Sequence, residues 1–209
     1  MAAWLFSPAR AGLERSKIRK AAIRNLVVFM GISTISPMVS QKIGVRQIEK
    51  EDIDVLWALV DALGHVRDVD YFYRCFELQA EGKRLLFVAA LDGQDAGYCI
   101  LNWVPKYGLF QKIGIPEIQD LNVVPELRRQ GVGAALINHC EAVAKAMGHD
   151  RMGIGVGLER SYGAAQRLYV RLGYIPDGNG ATYDRKLLSF GESRPLDDNL
   201  CLMMTKNLA

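Results

Sequence analysis

The stretch most able to do chemistry is Val123-Val-Pro-Glu-Leu-Arg-Arg-Gln-Gly-Val-Gly133. Strand-forming residues end at Val124, then Pro125 and a charged run turn the chain. Gly131 and Gly133 open a helix with an apolar stripe of Val132, Ala135, Leu136, Cys140, Val143 and Met147. The first amides of a helix have no intrahelical partner and sit at the positive end of its dipole. Glycines bare that backbone, so a phosphate can come close to it. With Arg128 and Arg129 adding charge, the stretch reads as an anion cradle. The bland alternative is a glycine-punctuated helix start with no ligand. Two nucleotide readings fail residue by residue. A triphosphate loop needs GxxxxGK followed by Ser or Thr, and no such continuation follows these glycines. A dinucleotide fingerprint needs a small residue three places after the second glycine, where Leu136 stands.

Arg128-Arg-Gln-Gly-Val-Gly133 resembles the Arg/Gln-x-x-Gly-x-Gly/Ala signature of the GNAT acyltransferases. Ala165-Gln-Arg-Leu-Tyr-Val-Arg-Leu-Gly-Tyr174 is similar to the same family's LYxxxGF element, 36 residues further on. The resemblance covers about residues 43–209. It implies a single-domain α/β (α+β) fold with a mixed, mostly antiparallel sheet, splayed between its fourth and fifth strands, with helices on both faces. It implies acetyl-CoA as co-substrate and no metal. The coenzyme's pyrophosphate would lie on Arg128, Arg129, Gln130, Gly131, Val132, Gly133 and Ala134. Its pantetheine arm would lie between Ile118–Val124 and Met152–Leu158. A backbone amide at Val123, with Val124 beside it, would orient the thioester carbonyl as a small oxyanion hole. The implied reaction is direct attack of a primary amine on that carbonyl, a small-molecule acceptor being favoured. Its rivals are acetylation of a protein N-terminus or lysine, and a non-catalytic coenzyme-binding regulatory module.

Two side chains are candidates for proton transfer. Tyr169 occupies the tyrosine position of the second motif. A phenol with a pKa near ~10 can protonate a departing thiolate whose thiol has a pKa near ~8.5. Glu117 lies 14 residues before Gly131, a spacing similar to that of the glutamate base in the histone acetyltransferase branch. An amine at pH 7 is mostly protonated and needs such a base. Asp120 is the alternative, but strand alternation points it to the opposite face. Many family members carry an asparagine seven residues before the motif tyrosine, and here Tyr162 stands there, which puts one coenzyme contact in doubt. Gly153, Gly155 and Gly157 fall on one face of the fifth strand, either a weak strand or room for a ligand's backbone.

The elements that must position these groups follow from periodicity. Strand spacing appears at 43–48, 85–91, 97–103, 118–124, 152–158 and 200–206, with a short strand at 181–183. Helical spacing appears at 49–63, 69–79, 131–147 and 164–172. Asp92-Gly93-Gln94-Asp95 reads as a hairpin turn, and residues 103–110 as an aromatic-rich connection. Cys140 sits mid-stripe on its helix, where burial raises a thiol pKa, so an acyl-cysteine route is not expected.

The 209 residues are 50% hydrophobic and 23% charged, ordinary globular values that exclude wholesale disorder and fibres. Four scattered cysteines and three histidines form no metal-ligand spacing. No apolar run approaches the ~20 residues of a membrane helix. The net charge of +3 is uneven: residues 1–42 carry seven basic and one acidic side chain, leaving the remainder at −3. Neither nucleic acid nor membrane is therefore an expected partner of the folded body, and a homodimer is allowed. Residues 1–42 are expected to lie outside the fold. A secretory signal, an organellar transit peptide and an over-long start all fit their composition. The expected location is cytoplasmic.

Overall fold

The computed structural model describes residues 42–208. The expected N-terminal extension lies outside the described residues, apart from Lys42. Lys42 already belongs to the fold: its amide donates to Asp92 Oδ1 at 2.8 Å and its carbonyl accepts from the Asp92 amide.

The chain runs β1 (Ile43–Gln47), α1 (Ile53–Ala62), α2 (Tyr71–Ala80), β2 (Arg84–Leu91), β3 (Gln94–Asn102), α3 (Gly108–Ile113), β4 (Glu117–Val123), α4 (Val132–Ala146), β5 (Arg151–Gly157), α5 (Gly163–Arg171), β6 (Ile175–Tyr183), β7 (Lys186–Leu187) and β8 (Leu200–Asn207). The strands form one eight-stranded sheet in the order β1-β2-β3-β4-β5-β8-β6-β7. Every pair is antiparallel except β4–β5. The mixed sheet and the splay expected from the sequence are both present.

Each face of the sheet buries a separate core. On one face, Leu56, Leu59 and Val60 of α1 and Phe72, Cys75 and Phe76 of α2 pack on Leu86, Val88, Tyr98 and Ile100. On the other, α4 lies against β2 and β3: Cys140 Sγ is 3.5 Å from Cys99 Sγ, and the His139 ring meets Phe87 edge-on at 4.7 Å. Strand alternation explains the division, since successive residues of β2 and β3 point to opposite faces.

Three elements differ from the sequence reading, one of them the two-residue β7, too short to show a strand period. The aromatic connection contains α3, whose six residues are too short to show a helical period; Gly114 ends it at φ 71. The short strand expected at 181–183 is the end of a nine-residue β6. Its register slips between Pro176 and Ala181, where Gly178 and Gly180 both have positive φ, and those residues hide the strand pattern.

Candidate active site

The site is built on the one parallel pair. β4 and β5 are joined only at Glu117↔Gly153 and Ile118↔Ile154. Beyond that point β4 stays on β3 while β5 stays on β8, so the sheet opens into a wedge. The wedge forms part of a cleft of about 1120 Å³, bordered by Gln119, Asp120, Gly157, Tyr162 and Tyr169.

One bank of the wedge is backbone. After β4 a 3-10 turn at Pro125–Leu127 leads to Arg129 at φ 62 and Gly131 at φ 91, a left-handed geometry that glycine adopts without a Cβ clash. Among the described residues, the first amide of α4 to be bonded is that of Ala135, which donates to the Gly131 carbonyl at 2.9 Å, and no side chain caps the helix. The amides of Val132, Gly133 and Ala134 are thus left for an anion, as the cradle reading requires. The residues present fit a pyrophosphate. Arg128 and Arg129 are both exposed, but Arg128 is partly committed, its Nε donating to the Val123 carbonyl at 2.9 Å. The Gln130 amide reaches back to the Glu126 carbonyl.

Val123 and Val124 separate in role. Val123 faces Gly97 in a non-hydrogen-bonded pair, so its amide points away from β3 and into the wedge. Val124 is a correction to the sequence expectation. Its amide donates to Ala96 and its carbonyl accepts from Leu127, while its side chain is buried in the α1–α2 core. Nothing of Val124 is left to hold a coenzyme.

Tyr169 comes from α5, on the far side of the wedge. It is 5% exposed, borders the cleft, and no described residue hydrogen-bonds its hydroxyl. Burial raises its pKa well above the usual phenol range, with the nearby Cys99 and Tyr162 adding to the shift. The hydroxyl therefore keeps its proton at every physiological pH.

Glu117 is fully buried at the start of β4. It does not border the cleft directly; Gln119 and Arg185 stand between. Gln119 Nε2 donates to its Oε2 at 2.9 Å, and Arg185 Nη2 lies 3.1 Å from Oε1. Desolvation raises the Glu117 pKa, and the Arg185 charge opposes that rise.

Asp120 does not point away from the cleft, contrary to strict alternation. The β3–β4 ladder slips between Tyr98 and Ile100, and Asp120 takes φ 50 at the bulge. The extra residue re-aims the carboxylate into the cleft. It pairs there with Arg67, accepts from Tyr71 Oη at 2.9 Å and accepts from Asn122 Nδ2 at 2.8 Å.

The three glycines of β5 clear space for this chain's own side chains. A Cβ at Gly153 would lie 2.3 Å from the Phe110 ring. One at Gly157 would lie 2.5 Å from the Tyr162 ring, and one at Gly155 would lie 3.3 Å from the Arg185 guanidinium carbon. Room for a ligand's backbone is therefore not what they provide, and the weak-strand reading is incomplete. Tyr162, at the position of the family's asparagine, lies flat on the strand and donates its hydroxyl to Asp198 at 2.8 Å.

Several cleft residues had no sequence signal strong enough to find them. Arg67 follows α1 in a loop, and Arg84 begins β2. Arg185 sits at the tip of the β6–β7 hairpin, in a two-residue turn with Asp184 where both have positive φ and neither is glycine. Such turns are normally announced by Asn-Gly or Asp-Gly. Cys201 also borders the cleft, 3.4 Å from Arg185 Nη1. Burial raises its pKa, with Arg185 opposing, and its thiol donates to the Asp198 carbonyl.

Comparison with known proteins agrees with this architecture. Residues 82–176 match the model of the acetyltransferase (GNAT) domain. An uncharacterized N-acetyltransferase of Archaeoglobus fulgidus is 29% identical over 136 residues, 60% of this chain and 88% of that one. An uncharacterized N-acetyltransferase of Methanocaldococcus jannaschii is 33% identical over 108 residues, 52% of this chain and 40% of that one, so the match spans well under half of that relative. Among solved structures, an acetyltransferase of Salmonella typhimurium with its cofactor acetyl-CoA shares the fold at a TM-score of 0.56 and 18% identity, over 80% of this chain and 95% of that one. The matched span runs from β2 through the wedge and the start of α4 to β6, and over that span the chain is similar to the GNAT acetyltransferase domain.

Proposed function

We propose that this protein transfers an acetyl group from acetyl-CoA to the nitrogen of a primary amine, by direct attack and with a small-molecule acceptor. The observation that carries the reading is the wedge itself, which sets three helix amides on one bank against a tyrosine hydroxyl on the other, none of them bonded by any described residue. When bound, acetyl-CoA would supply an activated acetyl thioester. The amides of Val132, Gly133 and Ala134, with Arg128 and Arg129, would hold its phosphates. The Val123 amide would orient the carbonyl oxygen and stabilise charge there.

The chain's own groups then divide the proton work. Tyr169 holds a proton on the thiol side of the cleft. Glu117 serves as the base, its pKa raised by burial, the direction that helps a carboxylate take a proton from an ammonium. It would reach the amine through water at the Gln119–Arg185 edge. Attack without a covalent enzyme intermediate is supported by the state of the thiols: Cys140 is fully buried against Cys99, and burial raises both the Cys140 and Cys201 pKa values. The proposal places this activity in residues 43–209 of a cytoplasmic protein, and a chain starting at Met38 is expected to keep full turnover.

Acetyl-CoA should protect the folded protein against heat, by about 2.7 kcal/mol at a hundredfold excess over Kd. Replacing Gly131, whose φ of 91 disfavours any side chain, should remove that protection and amine-dependent release of free thiol together. Equal protection of wild type and Gly131→Val would rule out the cradle. Protection without thiol release across an amine panel would leave a coenzyme-binding module instead of an enzyme.

A further inference from the structure

Resting on the reading of the cleft as an amine-acetylating site, we propose that Arg84 and Arg185 form a carboxylate subsite, so that the acceptor is an amine that also carries a carboxylate. The argument starts from the sheet register. Arg84 is opposite Asn102, Asn102 is opposite Glu117, and Glu117 is opposite Gly153. Residues directly opposite one another share a face, so Arg84, Asn102 and Glu117 form one row across β2, β3 and β4 on the cleft side. One step further along the same face of β5 is Gly155, and onto that bare position Arg185 descends from the hairpin tip.

The charges in this row do not balance. Glu117 is the buried carboxylate, and it feels the positive charge of both Arg185 and Arg84. Arg185 is ion-paired with it. Arg84 has no carboxylate partner among the described residues; its Nη1 points at the Cys75 sulfur at 3.5 Å. The other cleft cations are matched, Arg67 by Asp120 and Lys106 by Asp184. Two guanidiniums thus share one carboxylate, and both border the cleft. A guanidinium carries five donors in a fixed fork, and those not spent on Glu117 and the two sulfurs suit the two oxygens of a carboxylate. An anionic group on the acceptor completes the charge count and leaves its amine free to face the wedge.

The hairpin tip shows how Arg185 is held there. Asp184 and Arg185 both take left-handed φ values, 48 and 63, which cost conformational energy in residues other than glycine. Lys106, across the cleft, holds Asp184 through both carboxylate oxygens at 2.7 Å. Glu117 holds Arg185 from beneath. The guanidinium is therefore fixed before any acceptor arrives, the condition for selective recognition.

The test uses the full chain and matched pairs of acceptors, each amino acid beside its own carboxamide. The expected result is a kcat/KM preference for the carboxylate of ~10- to 100-fold, the range of charge-assisted hydrogen bonds. Arg84→Gln leaves the Glu117–Arg185 pair intact and should bring the preference close to unity. The double change Glu117→Gln with Arg185→Gln removes one charge of each sign, leaving the net charge of the row unchanged, and should act in the same direction. A second readout needs no turnover: N-acetyl amino acids should raise the melting temperature of the wild type more than their amides do, and Arg84→Gln should erase the difference. An equal response to acid and amide, or a preference that survives Arg84→Gln, overturns the subsite. So does a preference seen only with acidic peptides and not with free amino acids. Heat protection by acetyl-CoA without turnover of any amine, alongside a retained carboxylate preference in binding, would overturn the catalytic reading and leave the subsite standing.

Discussion

The two banks of the wedge are made of different material. The bank at the start of α4 is backbone: three amides, two glycines and a turn, all within Arg128–Ala134. The facing side is made of side chains, with Arg67, Arg84, Asp120, Tyr162 and Arg185 brought from five separate parts of the chain. A backbone site needs one short segment to adopt one local geometry, and its sequence requirement is correspondingly short. A side-chain site needs the whole sheet to be in register before any member is in place. The first kind suits a group common to many reactions; the second kind can be changed residue by residue.

This contrast can be broken by single substitutions, and the largest effect is expected at the joint between the banks. Tyr169→Phe should lower kcat by ~10²-fold while acetyl-CoA still protects against heat, because the ring continues to pack and the proton donor alone is lost. Steady-state kinetics beside a thermal shift would check it, and full activity in the variant would make Tyr169 a core residue only. Next, Gly153→Ala should destabilise the fold by about 1–3 kcal/mol, since the added methyl would enter the ring of Phe110, a buried residue of α3. Chemical denaturation measures this directly, and a neutral result would mean that the aromatic layer yields.

Glu117→Gln should act through pH. The folded-state pKa is raised, so the wild-type rate should climb as pH rises through a value above the ordinary 4.5 of a glutamate, as the base loses its proton. The variant should lose that acidic limb and follow the free amine. The same shift has a stability sign. A carboxyl with a raised folded pKa favours the fold while it is protonated and loses that contribution as pH rises through the folded value, so the variant should gain relative stability on the alkaline side. A kcat/KM profile of unchanged shape would move the base to Asp120. The smallest effect is expected at the exposed clamp. Lys106→Gln should leave stability nearly unchanged in chemical denaturation, because both partners of the Lys106–Asp184 pair are more than half exposed. A larger loss would show that the clamp carries the strain of the hairpin tip.

Local chemistry accounts for what was legible in the residues alone. The cradle could be read because a proline, two glycines and the opening of an amphipathic helix are contiguous, and each restricts the backbone by itself. The motif tyrosine came from the family resemblance, and the order of the elements along the chain, apart from α3 and β7, followed from short-range periodicity. Tertiary structure decided the rest. The bulge at Asp120 depends on how β3 and β4 register, and it turned a carboxylate that alternation points away into a cleft residue. Pairing with Ala96 committed the Val124 amide to the sheet. The glycines of β5 could be seen as a pattern, but what fills their space comes from α3, the Tyr162 turn and the β6–β7 tip, none of which is adjacent in sequence. Backbone geometry is largely set by neighbours in the chain. The partners of a side chain are set by register and packing, which exist only once the sheet has closed.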